Sequence, residues 1–237
     1  MRIGSSEPVP NLYEDEQGII RALVDRLGHD LEPSILIGGW ATFVRVGGEI
    51  SLDIDLITSQ ESRHKLEQLM TDLSPSNNHQ GRKLRATIDD VHLDIYLPYE
   101  SQLGGRLRLK VEVLAEYPDE LSFEKWTLLR LEAHIATKMA ALLDRHFSEK
   151  GQKDAREILA LLKLDGVDPV LAAEVLDRAS TVNIQELPAM IGEAFDLIGT
   201  IIRLPKADQK LIAAEKKSWV SELQGRAARP QVARPPL

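Results

Sequence analysis

A chain of 237 residues with 43% hydrophobic and 28% charged residues has the composition of a globular protein able to bury a core in one domain or two. It has no cysteine, which excludes disulfides, thiolate metal sites and thiol nucleophiles and suits a reducing cytoplasm. A net charge of −8 excludes a generally basic nucleic-acid binder, though not a local basic groove.

The N-terminal MRIGSSEPVPNLYEDEQ is acidic and lacks the apolar run of a signal peptide. Apolar spacing at Ile19, Ile20, Leu23, Val24 and Leu27 predicts a helix over 14–29, stopped at Gly28. Residues 34–37 read as a buried strand ended by Gly38-Gly39, and 40–46 as a short helix closed by Gly47-Gly48. The apolar stretch 35–46 contains Arg45 and two glycines and is too short to span a bilayer, so a cytoplasmic protein without a membrane partner is expected. Residues 50–58 alternate, with Leu52, Ile54 and Leu56 on one face and Ser51, Asp53 and Asp55 on the other. A helix over 61–73 and the loop SPSNNHQG follow, then strand-like runs at 84–88, 91–97 and 107–114.

After Pro118 the pattern turns helical, over 122–147, 153–163, 168–179, 184–202 and 205–223, with no further convincing strand. The tail RAARPQVARPPL, rich in proline and arginine, reads as disordered. The expectation is an α+β protein: a mixed-sheet domain flanked by helices at 1–117, an all-helical domain at 118–225 and a tail at 226–237.

Asp53 and Asp55, two apart on a strand, project from one face and repel unless a cation or hydrogen bonds compensate. Alone, the pair would also suit a strand with its polar face in water. Residues 91–97 alternate too, with Leu93, Ile95 and Leu97 inward and Asp94 on the other face. If the two strands are neighbours, Asp94 joins Asp53 and Asp55 in a hard-oxygen site suited to Mg²⁺. Two ions bridged there would serve an in-line phosphoryl displacement, and Asp94 would also take the proton of an attacking hydroxyl. Gly38-Gly39, between strand and helix, lets backbone N–H groups approach a triphosphate, although such a pair more often only makes a turn. The chain carries neither a Walker A sequence nor GxGxxG.

The segments Ile37-Gly38-Gly39-Trp40-Ala41, Ser51-Leu52-Asp53-Ile54-Asp55-Leu56 and Leu93-Asp94-Ile95 resemble the core signature of the DNA polymerase β-like nucleotidyltransferases. Within that superfamily the chain is most similar to AbiEii-type (MenT-like) toxins of type IV toxin–antitoxin systems. Thr137-Lys138 through Asp144-Arg145, then Lys153-Asp154, look like their second-half motifs, and the resemblance covers roughly residues 30 to 165. It departs from many relatives at Trp40 and at Gly48-Glu49-Ile50.

The resemblance implies that Gly38, Gly39 and Ser51 contact the triphosphate and that Asp53, Asp55 and Asp94 hold Mg²⁺ in a two-metal site. Lys138 would bind phosphate with Arg145, and Asp154 would position Lys138 or the nucleotide. It further implies an NTP substrate, a tRNA 3′ end as RNA acceptor and a cognate antitoxin. On spacing alone, Lys138 and Arg145 share a helix face that would equally suit solvent, and Asp154 with Glu157 also fits an N-cap with a capping box. His134 reads as packing. Arg106, Arg108 and Lys110 form a period-two basic stripe; Arg82, Lys83 and Arg85 lie near the acidic strand, and Lys206, Lys210, Lys216 and Lys217 mark a late helix. Such cations would position an RNA or merely solubilise the surface. An antibiotic-modifying nucleotidyltransferase of the aminoglycoside type, to which Gly-Gly-Trp-Ala before a DxD is also similar, is the alternative. A catalytically silent binding protein on the same fold is a third.

Overall fold

The computed structural model describes residues 34–69, 71–75, 83–88, 91–119 and 126–229. The expected helix over 14–29, Arg82 and the tail beyond 229 lie outside the described residues. The first half runs β1 (Ser34–Ile37), α1 (Gly38–Val46), β2 (Asp53–Thr58), α2 (Gln60–Leu69), β3 (Thr71–Pro75), β4 (Leu84–Ile88) and β5 (Val91–Tyr96). Then come β6 (Gln102–Leu103), β7 (Leu109–Lys110), the single turn α3 (Val111–Leu114) and β8 (Thr127–Leu128). Five longer helices complete the chain: α4 (Leu131–Arg145), α5 (Glu149–Leu162), α6 (Pro169–Ala179), α7 (Leu187–Ile201) and α8 (Lys206–Ala227).

The protein is α+β. Its main sheet has six strands in the order β3-β4-β5-β2-β1-β8, and β6 pairs with β7 as a separate ribbon. The sheet is mixed: β2 lies parallel to β5 and β1 parallel to β8, while the remaining pairs are antiparallel.

Strand alternation sorts the apolar residues into two cores. Leu36, Ile54, Leu56, Leu93 and Ile95 pack with Trp40 and Trp126 on one side of the sheet. Ile37 and Ile57, of opposite parity on β1 and β2, join the larger core built from the helices. Asp53 and Asp55 share the parity of Ile57, so the pleat turns them toward the helical half.

Four expectations are corrected. Residues 71–75 form an edge strand on β4 where a helix end at 71–73 and the start of a loop at 74–75 were expected, and Pro75 is tolerated there because an edge has no outer ladder. Leu52 is 66% exposed, because β2 begins only at Asp53 and the alternation does not reach it. The run 107–114 is not one strand: Leu107, Leu109 and Val111 are buried at a spacing of two, but the next buried residue, Leu114, comes at the helical spacing of three. The expected helix over 122–147 starts only at Leu131, because Thr127–Leu128 return to the sheet beside β1.

The helical half is capped locally. Ser148 accepts from the Gly151 N–H at 3.1 Å at the start of α5, and Asp168 accepts from the Val170 N–H at 2.8 Å ahead of Pro169. Asp154 therefore lies inside α5 and caps nothing, which removes the capping-box reading. Trp219 of α8 is fully buried, edge-on to Phe195 of α7 with ring centroids 5.8 Å apart. Trp219→Ala is expected to cost about 3–5 kcal/mol, read as a lower midpoint in urea unfolding; an unchanged midpoint would contradict this packing.

Candidate active site

The parallel register of β2 and β5 sets Asp55 directly beside Asp94 and Asp53 beside His92. Two neighbouring carboxylates on one sheet face are thus fixed by backbone pairing alone. Burial and the facing Asp94 push the Asp55 carboxyl up to about 6, against the pull of Lys83 and Lys138.

Gly38 follows β1 at once and takes φ +69°, a left-handed conformation. A Cβ there would stand 2.2 Å from Asp55 Oδ2, and one on Gly39 would stand 2.8 Å from Ser51 Cβ. The Gly-Gly pair therefore lets the start of α1 close onto Asp55 and Ser51. Trp40, the next residue, points away into the sheet core and is fully buried.

Across from the sheet, α4 and α5 present ion pairs. Lys138 of α4 donates to Glu157 of α5 at 2.5 Å and stands 3.9 Å from Asp154. Arg145 grips Asp154 with two bonds, at 2.7 and 2.9 Å. Asp154 thus holds Arg145 first and Lys138 only at longer range. Burial pushes the Glu157 carboxyl up, with Lys138 opposing the shift. Lys153 is more loosely held, 3.5 Å from the Ile50 carbonyl and 3.7 Å from Glu49, and its ammonium would lie 3.8 Å from a Cβ on Gly39.

These groups line one cleft of about 640 Å³, a size suited to a small-molecule ligand. Gly38, Gly39, Ser51, Asp53 and Asp55 lie on its sheet side with Asp94. Lys138, Arg145 and Asp154 line it from the helices. The nine residues that the resemblance assigns to the site therefore line one cleft. Of the basic stripe only Arg108 reaches it: Arg106 pairs with Glu193 of α7 at 2.7 Å, and the strand that would have aligned the three is only two residues long. His134 is buried, 3.2 Å from Thr42, and burial, Lys138 and Arg45 hold its imidazole well below the usual range, so it is neutral packing.

Sequence reasoning set Lys83 and Arg85 near the acidic strand as cations for an RNA, but not as the partners of Asp94, which Arg85 faces across β4 and β5. A hairpin that joins Ile88 to Val91 through two residues places 85 opposite 94, so this signal was present in the sequence. Asp144, Lys153 and Glu157 stand within the second-half motifs or beside them, but their places in the cleft needed the docking of α4 and α5. Asp144 accepts from the backbone N–H of Gly105 at 2.5 Å and of Arg106 at 2.8 Å, fastening the β6–β7 loop to the rim.

Among the described residues, no group of three or more His, Asp or Glu side chains is arranged to hold a metal ion. Asp53 and Asp55 nevertheless suit Mg²⁺, which commonly uses one or two carboxylates and takes substrate phosphates and water for the rest. The raised Asp55 carboxyl marks the same demand, a negative charge buried and crowded without enough compensation.

No family model matches the chain. No curated protein matches it. Among solved structures, that of the antibiotic-resistance factor ANT(2″)-Ia aligns over 88% of this chain and 92% of that one, at 17% identity and a TM-score of 0.35. At those values the likeness assigns no function. No helix among the described residues is long and apolar enough to cross a membrane.

The Asp55 shift fixes the sign of a pH effect. Below the ordinary value of 3.8 the carboxyl is protonated whether folded or unfolded, and between 3.8 and about 6 only the unfolded chain ionises. The folded state therefore loses stability over that window, by up to about 3 kcal/mol above it. With divalent ions chelated, Asp55→Asn should unfold at higher urea than wild type near pH 8 and at about the same urea near pH 4. A variant that gains nothing at the higher pH contradicts the burial and crowding of the Asp55 charge.

Proposed function

We propose that the chain is a Mg²⁺-dependent nucleotidyltransferase that moves a nucleoside monophosphate from an NTP to an acceptor hydroxyl. The observation that carries this reading is the juxtaposition of Asp53 and Asp55 with Gly38, Gly39 and Ser51 on one side of the cleft and the helical cations on the other. The triphosphate lies along the start of α1, where free backbone N–H groups and the helix dipole favour anions. Lys153, the loosely held cation nearest Gly39, takes a phosphate, while Lys138 and Arg145 stay paired with Glu157 and Asp154 and brace the far wall.

Asp53 and Asp55 hold the divalent ion, whose part is to neutralise charge developing on the phosphates. The acceptor oxygen bonds to the α-phosphorus, the bond to the bridging oxygen breaks, and pyrophosphate leaves with that electron pair. The hydroxyl proton passes to water. For such a transfer, positioning and fixed charge account for most of the rate.

The acceptor reading is an RNA 3′ end, tRNA by the resemblance above, with a toxin role and a cognate antitoxin following from the same resemblance. Charge supports it: seven Lys or Arg and six Asp or Glu line the cleft of a chain whose net charge is −8. Of the six carboxylates, Asp94, Asp144, Asp154 and Glu157 are bonded to cations or backbone N–H groups and are not free for a polycation. A polycationic antibiotic is the second reading, favoured by the net charge itself, which draws cations from a distance.

Purified protein given Mg²⁺ and labelled NTPs is expected to label tRNA and not aminoglycosides. Asp53→Ala should lower incorporation by about a hundredfold or more, and Lys153→Ala should raise the KM for NTP about tenfold. Labelled drug with unlabelled RNA would reverse the acceptor assignment. No incorporation into either would remove the enzymatic reading.

A further inference from the structure

Asp94 is the most completely neutralised of the three aspartates. Its side chain is only 7% exposed. Lys83, itself buried, donates to Oδ2; Arg85 Nε donates to Oδ1 at 3.0 Å, and Arg85 Nη2 reaches Oδ2 at 3.4 Å. Three donors thus take three of the roughly four acceptor positions a carboxylate offers. Lys83 is also steadied by Tyr96, its ammonium 5.9 Å from the ring centroid. The three charges at Asp94 sum to +1, whereas Asp53 and Asp55 together carry −2 when ionised. Lys150, 70% exposed, stands 3.8 Å from Asp53.

An ion bridging Asp55 and Asp94 would have to sit against a buried ammonium and a guanidinium, both already bonded to the carboxylate it needs. On the nucleotidyltransferase reading above, we propose that the site takes one divalent cation rather than two. Asp53 and Asp55 hold that ion with the triphosphate, and Lys83 and Arg85 occupy the charge-neutralising place of a second ion. Asp94 is then a positioning residue that fixes the two cations facing the cleft, neither a metal ligand nor the base for the acceptor hydroxyl. Fixed side-chain cations need no reorganisation as charge develops on the phosphates. Lys83 and Arg85 both line the cleft, as this role requires.

The test is equilibrium dialysis of the full chain with Mn²⁺ and non-hydrolysable α,β-methylene analogues of the four NTPs, counting protein-bound Mn²⁺ per protein-bound nucleotide. A ratio of one is expected in wild type and in Asp94→Asn, with both ligands lost together in Asp55→Asn. In the double variant Lys83→Gln/Arg85→Gln, Asp94 is released and the ratio is expected to rise to two. A wild-type ratio of two, falling to one in Asp94→Asn, would overturn the proposal while leaving the nucleotidyltransferase reading in place. A ratio still at one in the double variant would remove Lys83 and Arg85 as the cause. No nucleotide-dependent Mn²⁺ binding in wild type would overturn both, and that wild-type count depends on no variant's folding.

Discussion

The parallel pairing of β2 with β5 forces Asp55 and Asp94 together, and the rest of the cleft answers that forced proximity. Burial of Asp55 and the like charge beside it raise the free energy of the folded chain when both carboxyls are ionised, as the upward push on Asp55 records. Asp94 is answered from its own sheet by Lys83 and Arg85, and Asp55 is left short of positive charge. The arrangement therefore stores its demand for a cation at one carboxylate. It does so beside the glycines that let a backbone, and with it a phosphate chain, come close.

The helical half supplies the opposite wall by the same rule. Lys138 with Glu157 and Arg145 with Asp154 are ion pairs whose charges largely cancel, so they hold α4 and α5 in register across the cleft. Burying such pairs yields little net stability, and removing one partner would leave the other's charge uncompensated. Two fastenings close the rim: Asp144 on the β6–β7 loop, and the longer contacts of Lys153 and Arg156 to Glu49. The cleft is thus built between a sheet face and a helical layer that meet through charge around it and through apolar packing at Ile37 and Ile57 beneath it.

Much of this was legible in the chain because it rests on local periodicity. The alternation around Ile54 and Leu93 is a property of the strands themselves, and α6 and α7 carry apolar stripes along most of their length. What stayed hidden depends on tertiary pairing. A two-residue strand such as β8 has no period to read, and Leu128 instead resembles the apolar positions of the helix that follows. Arg85 opposite Asp94 follows from the hairpin register of β4 with β5, which alternation within one strand does not state. Trp40 was legible as an apolar residue but not as one facing away from the site. That required knowing which side of α1 the sheet covers.

The central claim is transfer of a nucleoside monophosphate through the cleft at Asp53 and Asp55. It is tested most directly by following the two ends of the triphosphate. With Mg²⁺ and acceptor RNA, label placed at the α-phosphate should become covalently attached to the RNA, and label placed at the γ-phosphate should leave as pyrophosphate in equal amount. Transfer of the γ-label to the acceptor, or loss of the γ-label as inorganic phosphate with no α-label transferred, would contradict it.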